Sequence, residues 1–288
     1  FLRFAHGFSA GFTPTGTSAY VADIVPFQKR GEAMGIQSLF GSLGMAAGPA
    51  IGGWIASIWE LEILFYASAF TAIFSILILL KLKETLPNKE PLKLNLFKLK
   101  KDEIIEKRVL MPSAILFLSV FSFGVVLTII PDLSEHLGIK NKGLFFAVFT
   151  LSSLGIRLIA GRTSDRYGRI PVLRVASIFM IMAMMTIAFA ETKAMLMIAG
   201  VLFGSAVGMY SPTTAAWVVD LSLDAYRGRA LATMYIFLEA GIGIGAIVSG
   251  FLYANKAENF QLVFLSSAGM AFLAFLVLVS IRKRKYQT

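Results

Sequence analysis

The chain has 288 residues, of which 57% are hydrophobic and only 15% are charged, and its mean hydropathy is +0.74. Soluble domains carry about 25% charged residues, so this composition argues against a soluble enzyme. The formal charge of +10 could indicate a nucleic-acid partner, but the basic residues cluster between long apolar stretches, as in a chain that crosses a bilayer repeatedly.

Residues that are missing from the sequence exclude several kinds of chemistry. There is no cysteine, and the only histidines are His6 and His136, so Cys/His zinc sites and iron–sulfur clusters are excluded. No G-x-x-x-x-G-K-[ST] loop and no paired nucleophile and base are visible. We therefore expect no metal, no cofactor and no enzyme activity, but work that is driven by an ion gradient or by substrate binding.

Apolar segments of spanning length recur along the whole chain. A bilayer core about 30 Å thick needs about 20 mostly apolar helical residues. Nine segments approach this requirement: 1–25, 35–58, 62–82, 109–131, 143–160, 170–190, 194–219, 228–253 and 260–281. The sequence therefore predicts an all-α membrane protein that is embedded in a lipid bilayer.

Basic residues in the connections predict the orientation of these spans. One alternating set of connections holds nearly all the Lys and Arg residues, whereas the other set holds Lys140, Lys142, Lys193 and Lys256. Basic residues stay on the cytoplasmic side, so we expect residue 1 outside and the C-terminus in the cytoplasm. The basic, polar stretch 83–108 is then a cytoplasmic linker, and nucleic-acid binding is not expected.

The first span carries two polar residues on one helical face. An arginine within a span is costly and usually faces a cavity or a carboxylate, which makes Arg3 a functional candidate. His6 lies three residues further on and could titrate near neutral pH. Two interpretations stay open for each residue: Arg3 belongs to a proton relay or extends to the outer interface, and His6 titrates or only packs between helices.

Small residues line one face of the second span. Gly41, Gly44, Gly48 and Gly52 are spaced by three, four and four residues, and Pro49 and Gly53 lie within the same stretch. A smooth, kinkable face of this kind allows two helices to pack closely and to slide.

A charged motif connects the fifth and sixth spans on the predicted cytoplasmic side. It contains Gly161, Asp165, Arg166, Gly168 and Arg169. The glycines permit a tight turn between helices, while the aspartate can cap a helix and pair with guanidinium groups. On its residues alone, the basic motif is expected to set the topology.

Glu239 is the acidic residue that lies most clearly within a span. Apolar surroundings favour the protonated form of a carboxylate, so Glu239 could bind and release protons as its cavity changes sides. Proton coupling or substrate contact is one interpretation, and a polar contact between helices is the other.

An internal repeat appears when the chain is aligned with itself at an offset of 197 residues. The offset pairs identical residues: Asp23 with Asp220, Arg30 with Arg227, Gly31 with Gly228, Ala33 with Ala230, Gly44 with Gly241, Gly48 with Gly245, and Gly53 with Gly250. Spans one to three are then copies of spans seven to nine. We expect residues 1–82 to be the last three helices of one six-helix half, 83–108 the linker, and 109–288 a complete second half.

These motifs together resemble those of the major facilitator superfamily. The segment 161–169 is similar to the family's G-x-L-a-D-R-x-G-R loop, 44–53 to its antiporter motif g-x-x-x-G-P-x-x-G-G, and 3–7 to R-x-x-Q-G with His6 in place of Gln. The resemblance implies the major facilitator fold with nine of twelve spans present, three more preceding Phe1. It also implies that the 161–169 motif is a gating loop that holds the cytoplasmic gate closed, where the alternative is that it only sets the topology. A monomer in the cell membrane that exports drugs or small metabolites in exchange for protons is implied as well. A nutrient importer of the same fold is the alternative.

Overall fold

The computed structural model describes residues 5–7, 17, 20–21, 24–26, 30–83, 105–223 and 226–281. Eight long helices lie in these ranges: α1 (Arg30–Ile58), α2 (Leu61–Leu79), α3 (Leu110–His136), α4 (Leu144–Tyr167), α5 (Arg169–Ala188), α6 (Lys193–Leu221), α7 (Arg227–Tyr253) and α8 (Phe260–Ser280). Strands are absent from the described ranges. The predicted all-α class is confirmed.

The helices coincide with eight of the nine predicted spans. Among the described residues, six are long and apolar enough to cross a membrane, and α4 is a seventh if its two segments, bent by 45° between Arg157 and Ile159, form one span. The predicted first span, 1–25, lies mostly outside the described residues. The chain is therefore a multi-pass membrane protein.

Two helices extend further than hydropathy predicts. Helix α3 was expected to end at Pro131 but continues to His136, and α4 was expected to end at residue 160 but continues to Tyr167. Proline inside a membrane helix is tolerated where neighbouring groups satisfy the freed carbonyl. A helix also need not end where the apolar core ends, since polar side chains at its end remain in water. Both helices therefore extend beyond their apolar segments.

Helices α3 to α8 form one bundle. The most extensive contact joins α3 and α7, followed by α4 with α6 and α5 with α6. Glycines permit these close crossings: a Cβ atom on Gly204 of α6 would lie 2.1 Å from the carbonyl oxygen of Phe149 in α4. Phe145, Phe149 and Phe203 fill the adjoining core, with less than 4% of each exposed.

Helices α1 and α2 pack much less closely. No residue of α2 is buried, and α1 contacts the bundle mainly through α4. The apolar side chains of α2, such as Phe65 and Phe70, are exposed as expected for a helix that faces lipid. The contact between α1 and α4 therefore sets how these two helices meet the bundle.

Candidate functional site

A cluster of charges joins three helices at the predicted cytoplasmic end of the bundle. Arg169, in the first turn of α5, donates through Nε to Asp220 Oδ2 of α6 at 2.9 Å. Its Nη1 donates to Ser164 Oγ at 2.5 Å and to Asp165 Oδ1, both in the last turns of α4. We call Ser164, Asp165, Arg169 and Asp220 the cytoplasmic latch. Hydrogen bonds between charged groups are the strongest of the polar contacts, so the latch holds these helix ends together.

The segment predicted as a gating loop is mostly helical. Gly161, Asp165 and Arg166 lie within α4, and the turn to α5 forms at Gly168, whose φ of +89° suits glycine. The expectation that Gly161 forms the turn is therefore wrong, because α4 continues past it. Asp165 pairs with Arg169 instead of capping a helix. Arg166 is exposed, and its guanidinium lies 5.3 Å from the centre of the Tyr167 ring.

The predicted outer end has a contact between α1 and the start of α4. A Cβ atom on Gly143 would lie 1.9 Å from the Pro49 carbonyl oxygen, and one on Gly53 would lie 2.4 Å from Asn141 Oδ1. The Gly143 N–H donates to Asn141 Oδ1 at 2.9 Å and so fixes this turn. We call Pro49, Gly53, Asn141 and Gly143 the outer clamp. Its two backbones touch at a distance that only glycine permits.

The other small residues of α1 have different neighbours. A Cβ atom on Gly44 or Gly48 would meet no described atom within 4 Å, and one on Gly52 would meet Leu64 at 3.4 Å. Gly48 and Gly52 line a cavity of about 410 Å³ between α1, α2 and the start of α4. Most of this cavity is apolar, with Phe65 and Phe146 in its wall. Pro49 and Gly53, rather than the whole glycine face, contact α4.

Glu239 lies on the face of α7 that is turned away from α3. The residues facing α3, Gly241 and Gly245, are buried, whereas Glu239 and Tyr235 are exposed among the described residues. Burial of Glu239 was expected from its position in the span. It is exposed because the described helices leave this face of α7 uncovered. Glu239 lies 12 residues after Arg227, about 18 Å along the helix and near the middle of a bilayer core.

Two further predicted residues, Arg3 and His6, belong to the first predicted span. Arg3 lies outside the described residues, and His6 is helical and exposed.

The sequence did not identify the partners in these contacts. Asn141 and Gly143 of the outer clamp were missed, and so was the pairing of Arg169 with Asp220, a residue that the sequence singled out only through the repeat. For Asp220 a signal existed, since the repeat pairs it with Asp23. No repeat or motif identified in the sequence includes Asn141 or Gly143 of the outer turn.

The comparison with protein families supports the predicted fold. The model of the Major Facilitator Superfamily matches residues 1–112 and 112–288, which together span the whole chain.

Several curated proteins are similar over most of the chain. The multi-drug resistance efflux pump PmrA of Streptococcus pneumoniae is 26% identical over 98% of this chain and 72% of its own length. The multidrug resistance protein MdtG of Klebsiella pneumoniae is 27% identical over 98% of this chain and 70% of its own length. Multidrug resistance protein 1 of Bacillus subtilis is 27% identical over 55% of this chain and 41% of its own length.

Proposed function

The chain belongs to the major facilitator superfamily, and on that premise we propose that it exports drugs or small organic molecules in exchange for protons. Export is supported by the similarity to PmrA and MdtG, which are named as a multidrug efflux pump and a multidrug resistance protein. The family is one of transporters, which argues against an enzyme. We expect the protein to act as a monomer in the cell membrane, with its C-terminus in the cytoplasm.

The position of Glu239 carries the proposal of proton coupling. A carboxylate that faces lipid in the middle of a span is costly, so the uncovered face of α7 should meet a water-filled cavity or another protein surface. There Glu239 can take up a proton from one side and release it to the other. Protonation removes the charge that opposes closure of the cavity, and it thereby couples the proton gradient to the change of access.

The two ends of the bundle supply the proposed gates. The outer clamp holds α1 against α4 at one end, and the cytoplasmic latch holds α4, α5 and α6 together at the other. In alternating access, the outer clamp opens when the cavity faces outwards, and it closes when the cavity faces the cytoplasm. The latch keeps the cytoplasmic ends of the second half in register as the halves rock.

The test is transport of the dye ethidium into vesicles that contain the full-length protein under an imposed pH gradient. Wild-type protein should accumulate the dye inside inverted vesicles whose lumen is acidic. Glu239→Gln should abolish the dependence on the gradient, whereas Glu191→Gln, a change at an exposed glutamate between α5 and α6, should not. Coupling that is unchanged in Glu239→Gln would remove this residue from the mechanism. Dye movement down the proton gradient, in the same direction as protons, would favour the importer instead.

A further inference from the structure

The end of the linker is fastened to the base of α7. Two nitrogens of the Arg229 guanidinium donate to Glu106 Oε2, Nε at 3.1 Å and Nη2 at 2.6 Å. The Glu106 N–H donates to Thr233 Oγ1 at 2.9 Å, and that hydroxyl donates to the Arg229 carbonyl oxygen at 2.8 Å. The Arg229 guanidinium also lies 4.4 Å from the centre of the Tyr226 ring. We call Glu106, Tyr226, Arg229 and Thr233 the linker clamp.

The linker clamp is well shielded from water. The side chain of Glu106 is 10% exposed and that of Arg229 is 25% exposed. Val109 and Met234 are buried in the adjoining apolar cluster. Because an ion pair with little access to water is screened weakly, removing one partner leaves the other charge poorly solvated and costs more than it would at an exposed pair.

The repeat does not duplicate the linker clamp. At the offset of 197 residues, Arg229 corresponds to Glu32, Tyr226 to Lys29 and Thr233 to Ile36. The neighbouring residues Gly228 and Ala230 are conserved between the copies, as Gly31 and Ala33. The residues of α7 that form the clamp are therefore not repeated at the corresponding positions of α1.

Above the linker clamp, α3 and α7 are in contact along much of their length. A Cβ atom on Gly241 would lie 2.7 Å from the Phe117 carbonyl oxygen, and one on Gly245 would lie 2.2 Å from that of Phe121. From the other side, a Cβ atom on Gly124 would lie 2.0 Å from the Ile242 carbonyl oxygen. Two backbones this close cannot slide past each other without separating.

We propose that the linker clamp makes α3 and α7 one moving body at their cytoplasmic ends, and that Glu106 is a positioning residue for the helix that carries Glu239. Glu106 lies four residues before Leu110, the first residue of α3, and its carboxylate accepts from Arg229 near the start of α7. A displacement of α3 therefore moves the start of α7 with it.

The first experiment is hydrogen–deuterium exchange on the full-length protein. The amide of Glu106 and those of 231–233 should exchange slowly in wild type, and Glu106→Gln should raise their exchange at least tenfold. Glu258→Gln, which removes an exposed pair with Lys256 at 3.9 Å, is the matched control and should change nothing there. Exchange that stays slow in Glu106→Gln would overturn the proposal, and this readout does not depend on whether the protein transports anything.

The second experiment rests on the proposed transport function. The chain has no cysteine, so Glu106→Cys with Thr233→Cys can be joined by a short bis-thiol crosslinker once any cysteine in the full-length protein has been replaced. Before crosslinking, ethidium turnover should fall about tenfold with KM within twofold of wild type, and crosslinking should restore it. The double variant Glu106→Arg with Arg229→Glu should have turnover close to that of wild type, because it forms the same ion pair with the charges exchanged.

Two outcomes of the second experiment would contradict the proposal. Loss of turnover on crosslinking would mean that the contact must open during transport, and full turnover before crosslinking would mean that it positions nothing. If wild-type protein moves no ethidium, the proposed export fails while the exchange measurement still decides the linker clamp.

Discussion

Helices α1 and α7 are copies in sequence, yet their glycines have opposite surroundings. Gly241 and Gly245 of α7 are buried against α3, whereas a Cβ atom on their copies, Gly44 and Gly48 of α1, would meet no described atom within 4 Å. The surroundings are reversed for a third pair of glycines, Gly53 and Gly250. Gly53 of α1 is held in the outer clamp, and Gly250 of α7 is open. Small residues at repeated positions therefore permit close packing in both helices. Close packing occurs only where a neighbouring helix lies against that position.

The largest expected effect is a loss of stability on substitution of Gly245, a glycine of α7 that is buried against α3. Gly245→Ala should lower the stability of the full-length protein by about 1–3 kcal/mol, because the new methyl group would overlap the Phe121 carbonyl oxygen. Gly48→Ala should be neutral or slightly stabilising, since alanine favours the helix and the added methyl has room. The measurement is the midpoint of thermal unfolding in detergent. Equal losses in both variants would break the comparison and would indicate a helix packed over Gly48.

The next effect concerns the cytoplasmic ends of the same repeat, where Asp220 is the copy of Asp23. Arg169→Ala removes the donor that joins Asp220 to Asp165, and since both carboxylates are at least half exposed, each lost pair costs about 0.2–1 kcal/mol. We expect dye transport to fall about tenfold. Arg166→Ala, at the neighbouring exposed arginine, should leave transport within about twofold of wild type. Equal effects of the two changes would show that the motif acts only through its charge.

The reversed pair gives a smaller effect that sharpens the comparison. Gly53→Ala places a methyl group against Asn141 and Gly143, so the outer clamp should close less completely and transport should fall about fivefold. Gly250→Ala should leave transport unchanged, because a Cβ atom on Gly250 would meet no described atom within 4 Å. Accessibility of a cysteine placed at Phe146, a buried residue of α4 beside the clamp, to a membrane-impermeant thiol reagent applied from outside reports closure. A reagent rate that Gly53→Ala leaves unchanged would contradict the role of the outer clamp.

The smallest expected effect is a dependence of stability on pH in the second half. The hydrogen bond from Arg229 lowers the pKa of the Glu106 carboxyl below its ordinary value. This pair therefore stabilises the fold above the ordinary glutamate pKa of about 4.3, and its contribution is lost as the pH falls through the lowered value. The unfolding midpoints of wild type and Glu106→Gln should differ by a few degrees at neutral pH and converge in acid. A constant difference down to pH 3 would argue against the ion pair as its source.

Hydropathy predicted the helices well, because a bilayer requires about 20 apolar residues in each span whatever those residues contact. It predicted their ends poorly, as α3 and α4 show, because a helix can continue into water once it has formed. The family motifs identified Asp165 and Arg169 as a charged group. They did not identify the role of Gly161, which is helical because α4 extends past it.

Contacts between distant parts of the chain were the least predictable. Arg169 and Asp220 are 51 residues apart, and Glu106 and Arg229 are 123 residues apart. Each pair forms because the bundle brings helix ends together, and neither spacing carries a periodic signal. Glu106 in particular lies in a stretch whose many charges suggested only a solvated linker.

The most direct test of proton exchange is whether an ethidium gradient drives protons across the membrane when no pH gradient is imposed. Vesicles containing the full-length protein and a pH-sensitive dye in the lumen are loaded with ethidium and diluted into buffer of the same pH. Efflux of ethidium through wild-type protein should acidify the lumen. The variant Glu239→Gln should still move ethidium, but the lumenal pH should stay constant. Wild-type efflux at constant lumenal pH would contradict proton exchange.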